Sequence, residues 1–376
     1  MVRRALGLAV LLAAALFALR TTADGGDAPA APRAPAGGPE NPHAPAVAHP
    51  PFPGEERHLA NIRQLTFGGE NAEAYWSFAD DLVVFQTTRP PYTADQIFTM
   101  KPDGSDLRLV STGKGRTTCA YFLPGGKRIV YASTHLDGDE PPKPPDRSAG
   151  YVWGLFEYEL FACDLDGKDL VRLTTSPGYD AEATVSPKGD RMVFTSSRDG
   201  DLDLYTMALD GTDVKRLTDT VGYDGGAVWS PDGKQIAWRA QHPADEAGRA
   251  DFKTLLGKGM VRPNRLDLWV MAADGSGKRR VTTLDKASFG PFFTPDGKQL
   301  IFSSNVGDPK GRSFDLFLVN LDGTGLERVT FFSNDRFDDF DGFPMFSFDG
   351  KRLLWCSNRH NARPNETNVF VADWVP

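Results

Sequence analysis

Ser230-Pro231-Asp232-Gly233-Lys234-Gln235-Ile236-Ala237-Trp238 joins a tight turn to an apolar run, and the chain repeats the pattern. Ser186-Pro187-Lys188-Gly189-Asp190-Arg191-Met192-Val193-Phe194 and Thr294-Pro295-Asp296-Gly297-Lys298-Gln299-Leu300-Ile301-Phe302 are clear copies. Pro, Asp and Gly in succession favour reversal of the chain, and the apolar run behind them reads as a strand. Each turn follows another apolar stretch, such as Val228-Trp229. A third strand then opens on a polar residue and alternates, as in Asp203-Leu204-Tyr205-Thr206-Met207. An Asp-Gly turn (Asp210-Gly211) and a closing Arg216-Leu217-Thr218 complete the unit. Four short antiparallel strands joined by hairpins, repeated along a chain, make propeller blades.

The closing marker falls at Leu65-Thr66, Leu109-Val110, Leu173-Thr174, Leu217-Thr218, Val281-Thr282 and Val329-Thr330, which predicts six blades. The gaps are 44, 64, 44, 64 and 48 residues, so blades two and four each carry an insertion of about 20 residues. The first marker has no blade before it, and the last strand, Asn368–Trp374, has no marker after it. The N-terminal strand is therefore expected to complete blade six, which removes an open sheet edge. The fold class is all-β: a six-bladed propeller of four-stranded antiparallel blades, closed by the N-terminal strand.

Ser230-Pro231-Asp232-Gly233-Lys234 and Leu204-Tyr205-Thr206-Met207-Ala208-Leu209-Asp210-Gly211-Thr212 resemble the PD40, or TolB-type, propeller repeat. The resemblance runs from about residue 60 to the C-terminus and implies the fold. The same repeat also occurs in peptidase propellers and lyases, so it implies no single activity. The sequence shows neither the α/β domain that precedes the propeller in TolB proper nor the Gly-x-Ser-x-Gly elbow of the peptidases. Ser/His/Asp catalysis is not expected.

The net charge of -8 gives the chain no general electrostatic hold on nucleic acid. Arg3 and Arg4 precede the uncharged run Ala5–Leu19, the layout of a signal peptide over residues 1–23. Residues 24–57 are Pro/Ala-rich and read as a disordered spacer, with the propeller at 58–376. No transmembrane segment is expected beyond the signal sequence, and a periplasmic or secreted monomer is expected. Cys119, Cys163 and Cys356 read as buried thiols, with a Cys119–Cys163 pair as the alternative.

Functional residues are sought where the copies differ. The insertions, within Thr134–Glu157 and Gln241–Arg265, fall on the face shared with the connections between blades. Ala244–Gly259 has helical composition, with Phe252, Leu255 and Leu256 on one face. Aligned on the Ser-Pro turn, the first strands start with Asn71, Thr117, Asp180, Asp224, Ser288 and Asp341. Two residues on stand Glu73, Cys119, Glu182, Gly226, Gly290 and Phe343. The alignment predicts that Asn71, Glu73, Asp180, Glu182, Asp224 and Asp341 gather at one channel mouth. Such a mouth would raise carboxyl pKa values or recruit Ca²⁺ or another divalent cation, and no other cofactor is expected. His135, His242 and His360 all follow second strands on this face. His135 and His242 are candidates for ligand binding, or for metal or acid/base work. The polar openers of the third strands, Gln96, Glu159, Asp203, Asp267, Asp315 and Asn368, read as a repeated turn or inter-blade hydrogen bond.

The expected function is that of an exported, non-enzymatic binding or scaffold protein of the cell envelope. Its partner would be an envelope protein, peptide or glycan held at the channel mouth between the two insertions. The alternative is a metal-assisted lyase or hydrolase acting at the same acidic, His-bearing mouth.

Overall fold

The computed structural model describes residues 44–148, 150–333, 337–361 and 363–376. The proposed signal peptide, and the spacer up to residue 43, lie outside them. The turn that decides the fold is held by its own side chains. Ser230 Oγ donates to Asp232 Oδ1 at 2.7 Å, and the Lys234 and Gln235 amides donate to Asp232 Oδ1 and Ser230 Oγ at 3.0 and 2.9 Å. Gly233 sits at φ 64, the left-handed conformation that a residue without Cβ adopts readily.

Six antiparallel sheets follow. Their first strands, innermost in each blade, are Glu70–Trp76, Thr117–Phe122, Asp180–Val185, Tyr223–Trp229, Ser288–Phe293 and Asp341–Phe346. Strand Leu59–Gln64 pairs with Asn368–Trp374 and closes the ring, as expected. Trp76, Trp238 and Trp355 are buried between the layers. All three cysteines are free and buried, so the Cys119–Cys163 alternative falls.

The closing Arg-x-Thr explains the polar openers. Leu204 N donates to Thr218 Oγ1 at 2.8 Å, and Thr218 Oγ1 and Arg216 Nη2 both donate to Asp203. Thr174 with Glu159, and Thr282 with Asp267, repeat the arrangement. These bonds join strands three and four of one blade, not neighbouring blades. They satisfy buried groups that would be costly unpaired.

One expectation is corrected. Residues 44–57 are not part of a disordered spacer. Val47–His49 adds a fifth strand to blade six by pairing with Leu59–Gln64. A 3₁₀ turn, Glu55–Arg57, then places the Glu55 carboxylate fully inside the protein. There it accepts from Arg359 Nη1 and Nη2 at 3.1 and 3.0 Å, and from the Phe52 and Phe331 amides at 3.0 Å. A Pro/Ala-rich composition argues against a core of its own, but not against docking onto one already built.

Candidate functional site

Both insertions belong to one substructure. Trp153–Gly154 of blade two pairs antiparallel with Met260–Val261 of blade four, Met260 opposite Gly154 and Val261 opposite Trp153. The expected helix spans Glu246–Leu256 and is capped by Asp245, whose carboxylate accepts from Gly248 N at 2.7 Å. Val152, Leu255 and Met260 form a small apolar core between the two insertions. The pair roofs the channel, since Trp153, Leu155 and Phe156 line the chamber below together with the first strands.

Each first strand shifts register at the same place, between Ala72 and Tyr75 in blade one and between Gly225 and Val228 in blade four. At that bulge stand Glu73, Cys119, Glu182, Gly226, Gly290 and Phe343, with φ between 50 and 60. Bulges re-aim side chains, and here they turn the second ring into the channel lining. Two chambers result. The upper has about 60 Å³ open to the centre of a water molecule, the lower about 30 Å³.

The carboxylates expected together are divided by the structure. Only Glu73 and Glu182 share the channel. The outer ring of Asn71, Asp180, Asp224 and Asp341 is 0–1% exposed and turned into the blades. Each contacts the residue 18 positions later in its own blade. Arg89 Nη2 donates to Asn71 at 3.0 Å and Arg198 Nη2 to Asp180 at 3.1 Å. His242 Nε2 lies 3.1 Å from Asp224, and Arg359 Nη2 is 3.0 Å from Asp341. Trp238 Nε1 and Trp355 Nε1 add hydrogen bonds to Asp224 and Asp341 at 2.6 and 3.1 Å. A buried carboxylate needs a partner, and each blade supplies its own, so these groups form no common acidic mouth.

The histidines are likewise dispersed. Burial lowers the pKa of His242, but the Asp224 hydrogen bond and charge outweigh it and the net shift is upward. His135 occupies the same slot in blade two, with Nδ1 2.8 Å from Ser133 Oγ and its ring 4.4 Å from Phe161. His360 stacks on His49 at 4.1 Å in blade six, and burial together with the neighbouring His49 and Arg359 pushes it down to about 4. None of the three lines the channel. Among the described residues, no group of three His, Cys, Asp or Glu side chains is arranged to hold a metal ion.

Arg239 is the channel residue that the repeat alignment did not single out. It pairs with Glu182, whose Oε2 also accepts from Gly226 N at 2.9 Å and Thr195 Oγ1 at 2.8 Å. Its guanidinium carbon lies 5.4 Å from the Trp153 ring and 5.6 Å from Tyr223. It belongs to the second strand of blade four and reaches the axis because its own first strand lacks side chains at Gly225 and Gly226. A Cβ on Gly226 would lie 1.8 Å from Arg239 Nη1, and one on Gly225 2.7 Å from Glu182 Oε2. The signal was present in the sequence. The other blades carry Gln86, Ala132, Thr195, Ser303 or Cys356 at the Arg239 position, none of them charged.

Glu73 faces the chamber without a cation of its own. Burial pushes its carboxyl up to about 7; the Glu182 charge adds to this, while a hydrogen bond with Cys119 and the Arg239 charge oppose it. Burial, with the Glu73 and Glu182 charges, keeps the Cys119 thiol protonated.

Comparison with known proteins agrees with this architecture. Residues 156–261 match the family described as PD40, TolB beta propeller domain. A putative TolB from Agrobacterium tumefaciens superposes with a TM-score of 0.55 at 18% identity, over 84% of this chain and 97% of that one. A gluconolactonase from Xanthomonas campestris gives 0.55 at 13%, over 90% and 98%. An oligogalacturonate lyase solved in complex with manganese gives 0.51 at 13%, over 88% and 96%. At these identities the superpositions establish the fold alone.

Proposed function

We propose that this TolB-like PD40 propeller protein is an exported, non-catalytic binding scaffold of the cell envelope, whose partner docks on the roof over the channel. The observation that carries the reading is the roof itself. Two segments far apart in sequence are ordered into one sheet and helix with a shared core. Ordering them costs conformational entropy, and loops presented by a rigid scaffold are where recognition concentrates. Asp251, Lys253 and Thr254 of the helix, and Lys258 just beyond its C-terminal end, are exposed, a polar surface suited to a protein or peptide partner. Among the described residues no helix is long and apolar enough to cross a membrane.

The fold also carries enzymes, so the site must decide. A lyase or hydrolase using His135 or His242 needs its groups within reach of one reacting atom. Both histidines are instead held beside their own blades.

Photo-crosslinking residues placed at Lys253 and Lys258 on the roof, and at Lys234 and Lys298 in the turns of the opposite face, test the reading in intact cells. A discrete adduct from the roof positions alone is expected. Equal labelling from both faces, or adducts from the turn face only, would sink it.

A further inference from the structure

Among the residues lining the two chambers, the acidic and basic side chains are Glu73, Glu182 and Arg239, and their charges do not cancel. Glu182 and Arg239 neutralise each other. Asp95, the next carboxylate to reach Glu73, is paired with Arg116 at 2.8 Å. The remaining groups facing Glu73 are Cys119, Cys356, Tyr75 and Tyr158, all held neutral by burial. When Glu73 ionises, the chamber is left with one negative charge inside a ring of aromatic side chains.

We propose that the upper chamber is a binding site for a small organic ammonium ion, with the Glu73 carboxylate as counter-charge and the rings of Trp153, Tyr158, Tyr179 and Tyr223 as walls. Aromatic faces attract weakly hydrated cations, and Arg239 already uses this property where it lies over Trp153 and Tyr223. A metal ion is a poor fit. Hard divalent cations require about six or more oxygen ligands, and the chamber offers a single carboxylate without a cation. An anion would meet two carboxylates, with the one guanidinium already committed.

Size narrows the class. The chamber has about 60 Å³ open to water centres, room for only a few heavy atoms beneath the roof. Methylammonium is the matching probe. A ligand of two heavy atoms binds no tighter than about the millimolar range.

The site is separate from the roof's outer face, so the crosslinking reading and this one can fail independently. The full-length protein would be titrated with methylammonium chloride at pH 8 and pH 6, against sodium chloride at equal ionic strength. Tryptophan fluorescence and calorimetry report binding. Because only ionised Glu73 supplies the counter-charge and its carboxyl sits at about 7, saturable binding about ten-fold tighter at pH 8 is expected. Glu73→Gln should abolish it, and Glu73→Asp should retain a weaker form. Absence of saturable binding at pH 8, equal affinity at both pH values, or unchanged binding in Glu73→Gln overturns the proposal. The wild-type pH comparison decides the matter even where the variants fold poorly.

Discussion

Gly226 shows how much a missing side chain can determine. It and Gly290 occupy equivalent bulge positions with φ 59 and 57, so alanine meets the same backbone strain at each. Their surroundings differ. A Cβ on Gly290 would have its nearest neighbours at 3.5 Å, whereas on Gly226 it would lie 1.8 Å from Arg239 Nη1. Gly290→Ala is expected to cost about 1–2 kcal/mol from left-handed strain alone. Gly226→Ala must also push Arg239 off Glu182 and is expected to cost roughly 3–5 kcal/mol, as when a buried ion pair is broken. Denaturant midpoints of the two variants test this; equal losses would show that the Glu182–Arg239 pair is not set by the room at Gly226. The same residues show what the sequence could reveal. Bulge residues recur at one register, so Glu73 and Glu182 were legible as channel residues. Asp180, Asp224 and Asp341 share a register too, but register does not show which way a side chain turns. Their orientation follows from the partners 18 residues later, His242 for Asp224 and, for Asp180 and Asp341, the arginines of a Ser-x-Arg pattern at Ser196-Ser197-Arg198 and Ser357-Asn358-Arg359 that is visible only once strand pairing is known.

Among the elements, the N-terminal segment departs furthest from its composition. Val47–His49 adds only three residues to blade six, yet the turn after it carries Glu55 into a pocket with Arg359, both at most 1% exposed. Arg359 also lies 5.2 Å from the Trp355 ring and 5.5 Å from Phe52, so segment and blade share one cation. Glu55→Gln places an amide where four donors converge on a carboxylate, and a loss of about 3 kcal/mol is expected. The loss should be local at first. Hydrogen exchange should rise over residues 44–58 while the strands of blades one to five stay protected; uniform loss of protection would show that the segment is integral to ring closure. Periodicity cannot announce such an element, because its stability comes from a blade some 300 residues away.

For the whole molecule, buried carboxyl groups set how stability varies with pH. Burial, reinforced by Asp95, pushes Glu70 up to about 8, and burial is also the main cause for Glu73 and Asp315, both at about 7. A carboxyl whose pKa is higher folded than unfolded holds its proton more tightly in the native state. Its ionisation therefore destabilises the fold as pH rises from about 4.5 towards the folded value. His49 and His360, both lowered chiefly by burial, act in the other direction, since acidification below about 6.5 charges them more readily in the unfolded chain. The protein is expected to be more stable at pH 6.5 than at pH 8.5, and Glu73→Gln should flatten that decline. Urea midpoints across the interval test this; stability that rises toward pH 8.5 would contradict the assignment.

The roof has a consequence in time as well as space. Its two strands, around residues 153 and 260, are separated by the last two strands of blade two, the whole of blade three and the first two strands of blade four. On a ribosome delivering about 5–20 residues per second, the first strand waits roughly 5–20 seconds for its mate. The channel comes later still, when Asn368–Trp374 takes up Leu59–Gln64 and closes the ring, so both roof strands are made before there is a channel to cover. A solute therefore first meets the chamber in the closed ring, with its roof already built.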